Sequence, residues 1–268
     1  MASSLIGGLL NANSDIKVAP ENLMVFEPNL EKATELKSQF KIKLANDNYE
    51  LINHADVVVL AVKPQVLENV LKPLADAFKE SKPLIVSIAA GITISSIEHW
   101  LNDAYAVVRV MPNTPALVGA GASGLYANER VSQEQRHVTE ALLNAVGMSR
   151  WVNHEPDIDA VTALSGSGPA YFMLFINSLI EAGQAAGLDH ATAKALAVAT
   201  ASGSAKLIEE SNQPLQTLID NVTSPGGTTE QALKSFHSDK LPAIIGAAFE
   251  SARVRSKELA DQLGSSKT

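Results

Sequence analysis

The segment Val222-Thr-Ser-Pro-Gly-Gly-Thr-Thr-Glu230 runs straight into Gln231-Ala-Leu-Lys-Ser-Phe236 and gathers the groups best suited to holding a small anion. Two glycines between Ser224 and the paired Thr228 and Thr229 leave backbone N–H groups free and add hydroxyl donors. A helix opening there contributes the positive end of its dipole. Glu230, third after Gly227, equally suits a plain capped helix start. The Pro-Gly-Gly run permits a closer backbone approach than a cap requires.

Other stretches bear on chemistry less directly. Leu164-Ser-Gly-Ser-Gly-Pro-Ala-Tyr171 reads either as helix punctuation, with Pro169 in the first turn, or as the wall of a cleft between two halves of the chain. Glu27 ends the strand-like run Leu23-Met-Val-Phe26. A carboxylate there accepts hydrogen bonds from an adenosine ribose and repels a 2′-phosphate, although an exposed strand-end Glu is equally ordinary. Gly119-Ala-Gly121-Ala-Ser-Gly124 is a literal G-x-G-x-x-G, but it follows a Pro-containing turn and precedes no amphipathic helix, so it reads as a connecting loop. His54, His99, His137, His154, His190 and His237 lack i, i+4 pairing, which argues against a metal site. Ser167 lacks the G-x-S-x-G setting of a hydrolase nucleophile.

The elements that must position these groups change character along the chain. In the first half, β-branched runs alternate with helical stretches. Leu23–Phe26 is followed by a helix over 29–40, Asp56–Val62 by a helix begun at Pro64, and Pro83–Ile88 by a helix over 93–101. That is the rhythm of a doubly wound parallel sheet, with the apolar run Val57–Val62 as a central strand. Further strands are expected at Ala106–Met111, around Leu125-Tyr126 and at Arg150–Val152, with a helix over 132–146. From about Glu155 the strands stop. Helices are expected over 170–186, 189–210, 214–221, 228–238 and 241–263, with a frayed tail at Gly264–Thr268. The small residues of 191–205 suit either a helical dimer interface or tight packing within one chain. The fold class is therefore α/β, a doubly wound sheet over 1–154 followed by an all-helical domain over 155–268.

The chain has 268 residues, 46% hydrophobic and 19% charged, and a formal net charge of −8, the balance of a soluble globular protein with no broad basic field for nucleic acid. With no Cys there is no disulfide, no thiolate nucleophile and no Cys-based metal site, which suits a cytoplasmic setting. Met1–Leu10 contains no Lys or Arg and so does not read as a secretory signal, and Val57–Val62 and Ala170–Ile176 fall short of the roughly 20 residues of a membrane span.

Ala61-Val-Lys-Pro64, Met111-Pro-Asn-Thr-Pro115, Leu164-Ser-Gly-Ser-Gly-Pro-Ala170 and Thr223-Ser-Pro-Gly-Gly-Thr-Thr229, in this order and spacing, resemble pyrroline-5-carboxylate reductase across essentially the whole chain. The resemblance implies reduction of 1-pyrroline-5-carboxylate to L-proline by NADPH or NADH, the last step of proline synthesis. It also implies a Rossmann domain and a helical domain that forms a homodimer, with dimers assembling into rings. Carried over, it places Asn48, Val62, Lys63 and Pro64 along the cofactor, Ala89 and Ala90 near it, and Asn113 and Thr114 close to the nicotinamide. Ser224, Gly227, Thr228 and Thr229 would hold the substrate carboxylate and ring beside the other subunit's cofactor. Thr229 is the candidate hydroxyl for the ring nitrogen. A protonated cyclic imine is already electrophilic, so positioning does most of the work.

The family begins with a strand and a G-x-G-x-x-[AG] turn whose last residues match Met1-Ala2. The expectation is that a helix over 2–10 is the dinucleotide helix, and that the chain starts late or is truncated, with weak cofactor binding and poor solubility. Glu27 departs from the small or polar residue common in the family. A non-catalytic oligomer stays open, as does a related imine or β-hydroxyacid reductase. The latter carries a Lys on its interdomain helix, and 170–186 has none.

Overall fold

The computed structural model describes residues 1–11 and 18–264; the tail expectation from residue 265 on lies outside them. The chain divides into two compact units, one of Met1–Ser167 with Ala252–Thr268 and one of Gly168–Ser251.

In the first unit, α1 (Ala2–Leu9) buries Leu5, Ile6 and Leu9 on one face. Next come β1 (Met24–Val25), α2 (Leu30–Phe40), β2 (Lys43–Leu44), α3 (Asn48–Asn53), β3 (Val57–Leu60), α4 (Pro64–Leu71), α5 (Ala75–Ser81), β4 (Leu84–Ser87) and α6 (Ile94–Leu101). They are followed by β5 (Val107–Met111), β6 (Gly121–Ala127), α7 (Gln133–Asn144), β7 (Gly147–Trp151) and α8 (Asp157–Val161). Strands β1 and β2 pair in parallel, and a five-stranded sheet runs in the order β3-β4-β5-β6-β7 with β6 antiparallel to β5. Local signals set the helix starts. The Asn29 side chain accepts the Lys32 N–H, Thr93 accepts the Ser96 N–H, and Ser132 with Gln135 forms a capping box at α7. Strands β2 and helices α3, α5 and α8 were not expected from the sequence.

Two expectations are corrected. The run beginning at Val57 does not form a central strand: β3 lies at one end of the five-stranded sheet and, among the described residues, pairs only with β4. Val58 and Leu60 join the core beneath α4 to α6, whereas Val57 and Val59 are half-buried on the other face. An apolar run reports contact on two faces, while rank in a sheet is decided by pairing, which the run does not encode. The Gly119–Gly124 stretch is not wholly loop either, because Gly121–Gly124 open β6. A Cβ on Gly121 would lie 2.9 Å from the Val146 carbonyl oxygen, and one on Gly124 would lie 2.5 Å from Val161 Cγ1. Close packing therefore accounts for these glycines.

The second unit consists of α9 (Gly168–Ala185), α10 (His190–Glu210), α11 (Leu215–Asn221), α12 (Thr228–Ser238) and the first part of α13 (Leu241–Gly264). Helices α9 and α10 pack through small residues, a Cβ on Gly183 lying 3.4 Å from Ala193 Cβ. Phe172, Met173 and Leu174 stay 71%, 63% and 69% exposed, and Ile244 and Ile245 are similarly open. Helices this apolar on their outer face require a cover. The helical run Asp157–Ala185 is long and apolar enough to cross a membrane by length and composition alone, although the uninterrupted apolar stretches of the sequence are shorter. It does so because a structural run joins α8 to α9 across Gly166 and Pro169, residues that interrupt the sequence pattern.

The second part of α13 belongs to the first unit. Its Ser256 hydroxyl donates to Asp159 Oδ1 at 2.7 Å, and Leu259 Cβ and Leu263 Cδ1 lie 3.5 Å from where a Cβ on Gly91 would stand.

Candidate active site

Register decides where the loops open. Leu60 stands beside Ser87 and Ser87 beside Arg109, so β3, β4 and β5, all parallel, reach one edge of the sheet together. The loops of 61–64, 88–91 and 112–114 leave from that carboxyl edge, where open α/β sheets bind their ligands. Val62 is half-buried, Lys63 is exposed at the N-cap of α4, and Pro64 starts that helix, which has no side-chain cap. Ala89 is buried and Ala90 exposed; Gly91 follows with φ +74°, a conformation that favours glycine. The turn of 89–91 carries only small side chains, with Ala90 facing solvent and Gly91 packed against Leu259 and Leu263. Thr114 is exposed, whereas Asn113 is buried with its amide engaged. Asn113 Nδ2 donates to the Ser165 carbonyl at 3.0 Å, and its Oδ1 accepts the Ala122 N–H at 2.9 Å.

Glu27 and Asn48 follow β1 and β2 at the carboxyl end of that parallel pair. Glu27 is half-buried and its Oε1 accepts the Asn29 N–H at 3.0 Å, so one oxygen is committed to the start of α2. Asn48 is half-buried as the first residue of α3. The structure thus groups Val62, Lys63, Pro64, Ala89, Ala90, Asn113 and Thr114 at one sheet edge, with Glu27 and Asn48 at the matching end of the smaller pair. This edge suits an extended dinucleotide: it offers an uncapped helix start, a small-residue turn and an exposed Thr hydroxyl.

An ion pair between buried Arg109 and half-buried Glu155, which the sequence did not reveal, braces this edge. Arg109, on β5, donates to Glu155 Oε1 at 2.7 Å, and the same oxygen accepts the Ile94 N–H at 2.8 Å. One carboxylate therefore joins β5 to the start of α6.

The second set of groups lies in the helical unit. Gly226 has φ +73°, and Gly227 is the N-cap of α12 without any side-chain cap. The first N–H groups of a helix have no acceptor within it, so those at Thr228 and Thr229 face outward from an uncapped end. Ser224 and Thr228 are exposed, and Gly227 and Thr229 half-buried. The Gly227 N–H donates to the Ser224 carbonyl at 3.0 Å, closing the turn. Glu230 does not close a capping box on Gly227; its Oε2 accepts the Gly226 N–H at 2.5 Å. Lys234, 2.8 Å from Glu230 Oε1, and then the Gly226 N–H hold the Glu230 carboxyl below its usual range. Glu230 consequently stays ionised, while Lys234 offsets its charge beside the uncapped N–H groups.

Residues 155–259 match the family model described as pyrroline-5-carboxylate reductase dimerisation, and residues 1–91 match that described as NADP oxidoreductase coenzyme F420-dependent. The pyrroline-5-carboxylate reductase of Pseudomonas aeruginosa is 46% identical over 264 residues, covering 98% of this chain and 95% of that protein. A solved pyrroline-5-carboxylate reductase from Coxiella burnetii superposes with a TM-score of 0.91 at 41% identity, covering 97% of this chain and 94% of that one. A pyrroline carboxylate reductase from Plasmodium falciparum, solved with NADP bound, gives a TM-score of 0.83 at 35% identity, covering 96% of this chain and 94% of that one. A likeness of this extent in sequence and in fold, together with a loop cradle and a sheet edge of matching chemistry, means that the chain belongs to the pyrroline-5-carboxylate reductase family.

Proposed function

We propose that the reaction of the family, reduction of 1-pyrroline-5-carboxylate to L-proline with NADPH or NADH, is carried out here by two sets of groups. The sheet edge of the first unit holds the cofactor, and the loop of 224–229 holds the substrate. The observation that carries this reading is the uncapped, glycine-flanked start of α12, an anion cradle whose neighbouring Glu230 is already neutralised by Lys234.

The bound nicotinamide supplies the hydride. Lys63 and the start of α4 face the cofactor phosphates; Val62, Pro64, Ala89, Ala90 and Asn48 line its length; Glu27 meets the adenosine ribose; Asn113 and Thr114 belong to the nicotinamide end. Ser224, Thr228 and the main chain at Gly227 receive the substrate carboxylate, which orients the ring. The Thr229 hydroxyl hydrogen-bonds the ring nitrogen and holds the protonated imine for attack. Because the substrate is already electrophilic, these residues accelerate the reaction by fixing geometry and excluding alternatives.

The test is proline formation from 1-pyrroline-5-carboxylate by this chain with NADH and NADPH assayed separately. Turnover with either supports the assignment, and silence with both removes it. Glu27→Ser is expected to raise kcat/KM for NADPH relative to NADH by about tenfold, since it removes a carboxylate from beside the 2′-phosphate. An unchanged ratio would mean that Glu27 does not meet the ribose.

The helical unit forms a homodimer in this reading, with residues 155–268 as the dimerisation domain and 1–154 as the nucleotide domain, supported by a family match that starts at residue 155. Its open apolar side chains receive their cover from the second copy, and the substrate loop then serves the partner's cofactor. Dimers assemble into rings in the cytoplasm, and the partners are small molecules rather than nucleic acid or membrane. Leu174→Glu is expected to yield monomers in sedimentation velocity and to abolish turnover; a dimeric, active variant would refute this cover.

A further inference from the structure

The stretch that joins the sheet to α9 contains one turn of π-helix, Thr162–Gly166, in which the Ser167 N–H reaches back to the Thr162 carbonyl at 2.8 Å. Such turns leave main-chain groups short of partners and recur at functional sites. The Ser165 carbonyl would ordinarily accept the N–H four residues on. That residue is Pro169, which has none. The donor that meets the Ser165 carbonyl instead comes from another element, the Asn113 amide at 3.0 Å.

Three features make this contact specific. Asn113 is 8% exposed, so its amide is shielded from solvent. Its partners fix the orientation, because Ser165 presents a carbonyl to Nδ2 and Ala122 presents an N–H to Oδ1. The neighbouring contact is also tight, since a Cβ on Gly166 would lie 2.5 Å from the Met111 side-chain methyl carbon. The end of β5 is therefore held to the π turn at residues 111 and 113, and the loop so held leads directly to Thr114.

We propose that Asn113 is a positioning residue for hydride transfer: its amide supplies the donor that Pro169 denies the Ser165 carbonyl, and so fixes the loop after β5 at the reacting end of the cofactor. Each end of the amide already holds a partner within the protein and the side chain is buried, so in this proposal Asn113 acts through the loop it fixes. The inference rests on the proposed cofactor edge.

The experiment compares Asn113→Ala in the parent chain and in a Pro169→Ala background, where an N–H is restored four residues after Ser165. In the parent, kcat for proline formation is expected to fall about tenfold or more while the cofactor KM changes less than about threefold. In the Pro169→Ala background the same substitution is expected to cost markedly less, a coupling that a double-mutant cycle reads directly. Should Asn113→Ala fail to fold, Asn113→Asp keeps the shape and the acceptor for Ala122 while removing the donor, and serves in the same cycle. The proposal is overturned by equal kcat losses in the two backgrounds, by a cofactor KM that rises in step with the loss in kcat, or by a drop in Tm with kcat intact. A parent chain that makes no proline would instead refute the underlying function.

Discussion

Thr229→Ala is expected to lower kcat for proline formation by about a hundredfold, the usual consequence of removing one preorganised donor from a reacting centre. Thr229 is half-buried at the start of α12, whose uncapped end gathers the N–H donors proposed to receive the substrate carboxylate. In the proposed site the carboxylate contact falls to its neighbours, so KM should move little and the loss should fall on turnover. Thr229→Ser keeps the hydroxyl and should retain most of the rate. Steady-state kinetics on both variants decide the matter: an undiminished Thr229→Ala enzyme would leave the ring nitrogen to another group. Thermal unfolding should hardly change, because the side chain of Thr229 supports no core packing.

Gly147→Ala is expected to have the largest effect on stability, a loss of about 3 kcal/mol from combined overpacking and backbone strain. Gly147 opens β7 at φ +151° and stands beside Gly121 of β6. A Cβ there would lie 2.1 Å from the Gly121 carbonyl oxygen and 2.3 Å from its nitrogen. Both obstacles are main chain, so no side-chain rotation relieves them. In a chain of this size the loss corresponds to a fall in Tm of about 10 °C. Scanning calorimetry measures it, and a Tm within a degree or two of the parent would show that the β6–β7 pair can separate at little cost.

Much of this architecture is legible in the residues themselves. The helix starts at Leu30, Ile94 and Gln133 follow from the Asn, Thr and Ser placed just before them. The five helices from α9 onward lie within a residue or two of where the pattern puts them, because Gly187, Pro214 and the Gly226-Gly227 pair mark their limits. What escaped was long-range. The rank of β3 depends on which strands pair, and the glycines of β6 answer to Val146 and Val161, residues distant in sequence. At the site, the glycine-rich cradle could be read because its donors are consecutive. The Arg109–Glu155 pair, 46 residues apart, could not. Asn113 lies between these cases, since its motif draws notice while its partner, the Ser165 carbonyl, leaves only the indirect trace of Pro169.

The second part of α13 bears on the order of events during synthesis. Ser256, Leu259 and Leu263 reach Asp159 and the Gly91 turn, so the unit whose strands emerge first is completed by residues that follow the whole helical unit. Domains usually fold in the order they leave the ribosome. A chain stalled before residue 252 would lack these contacts and is expected to leave the surface at Asp159 and Gly91 uncovered, open to chaperones and proteases.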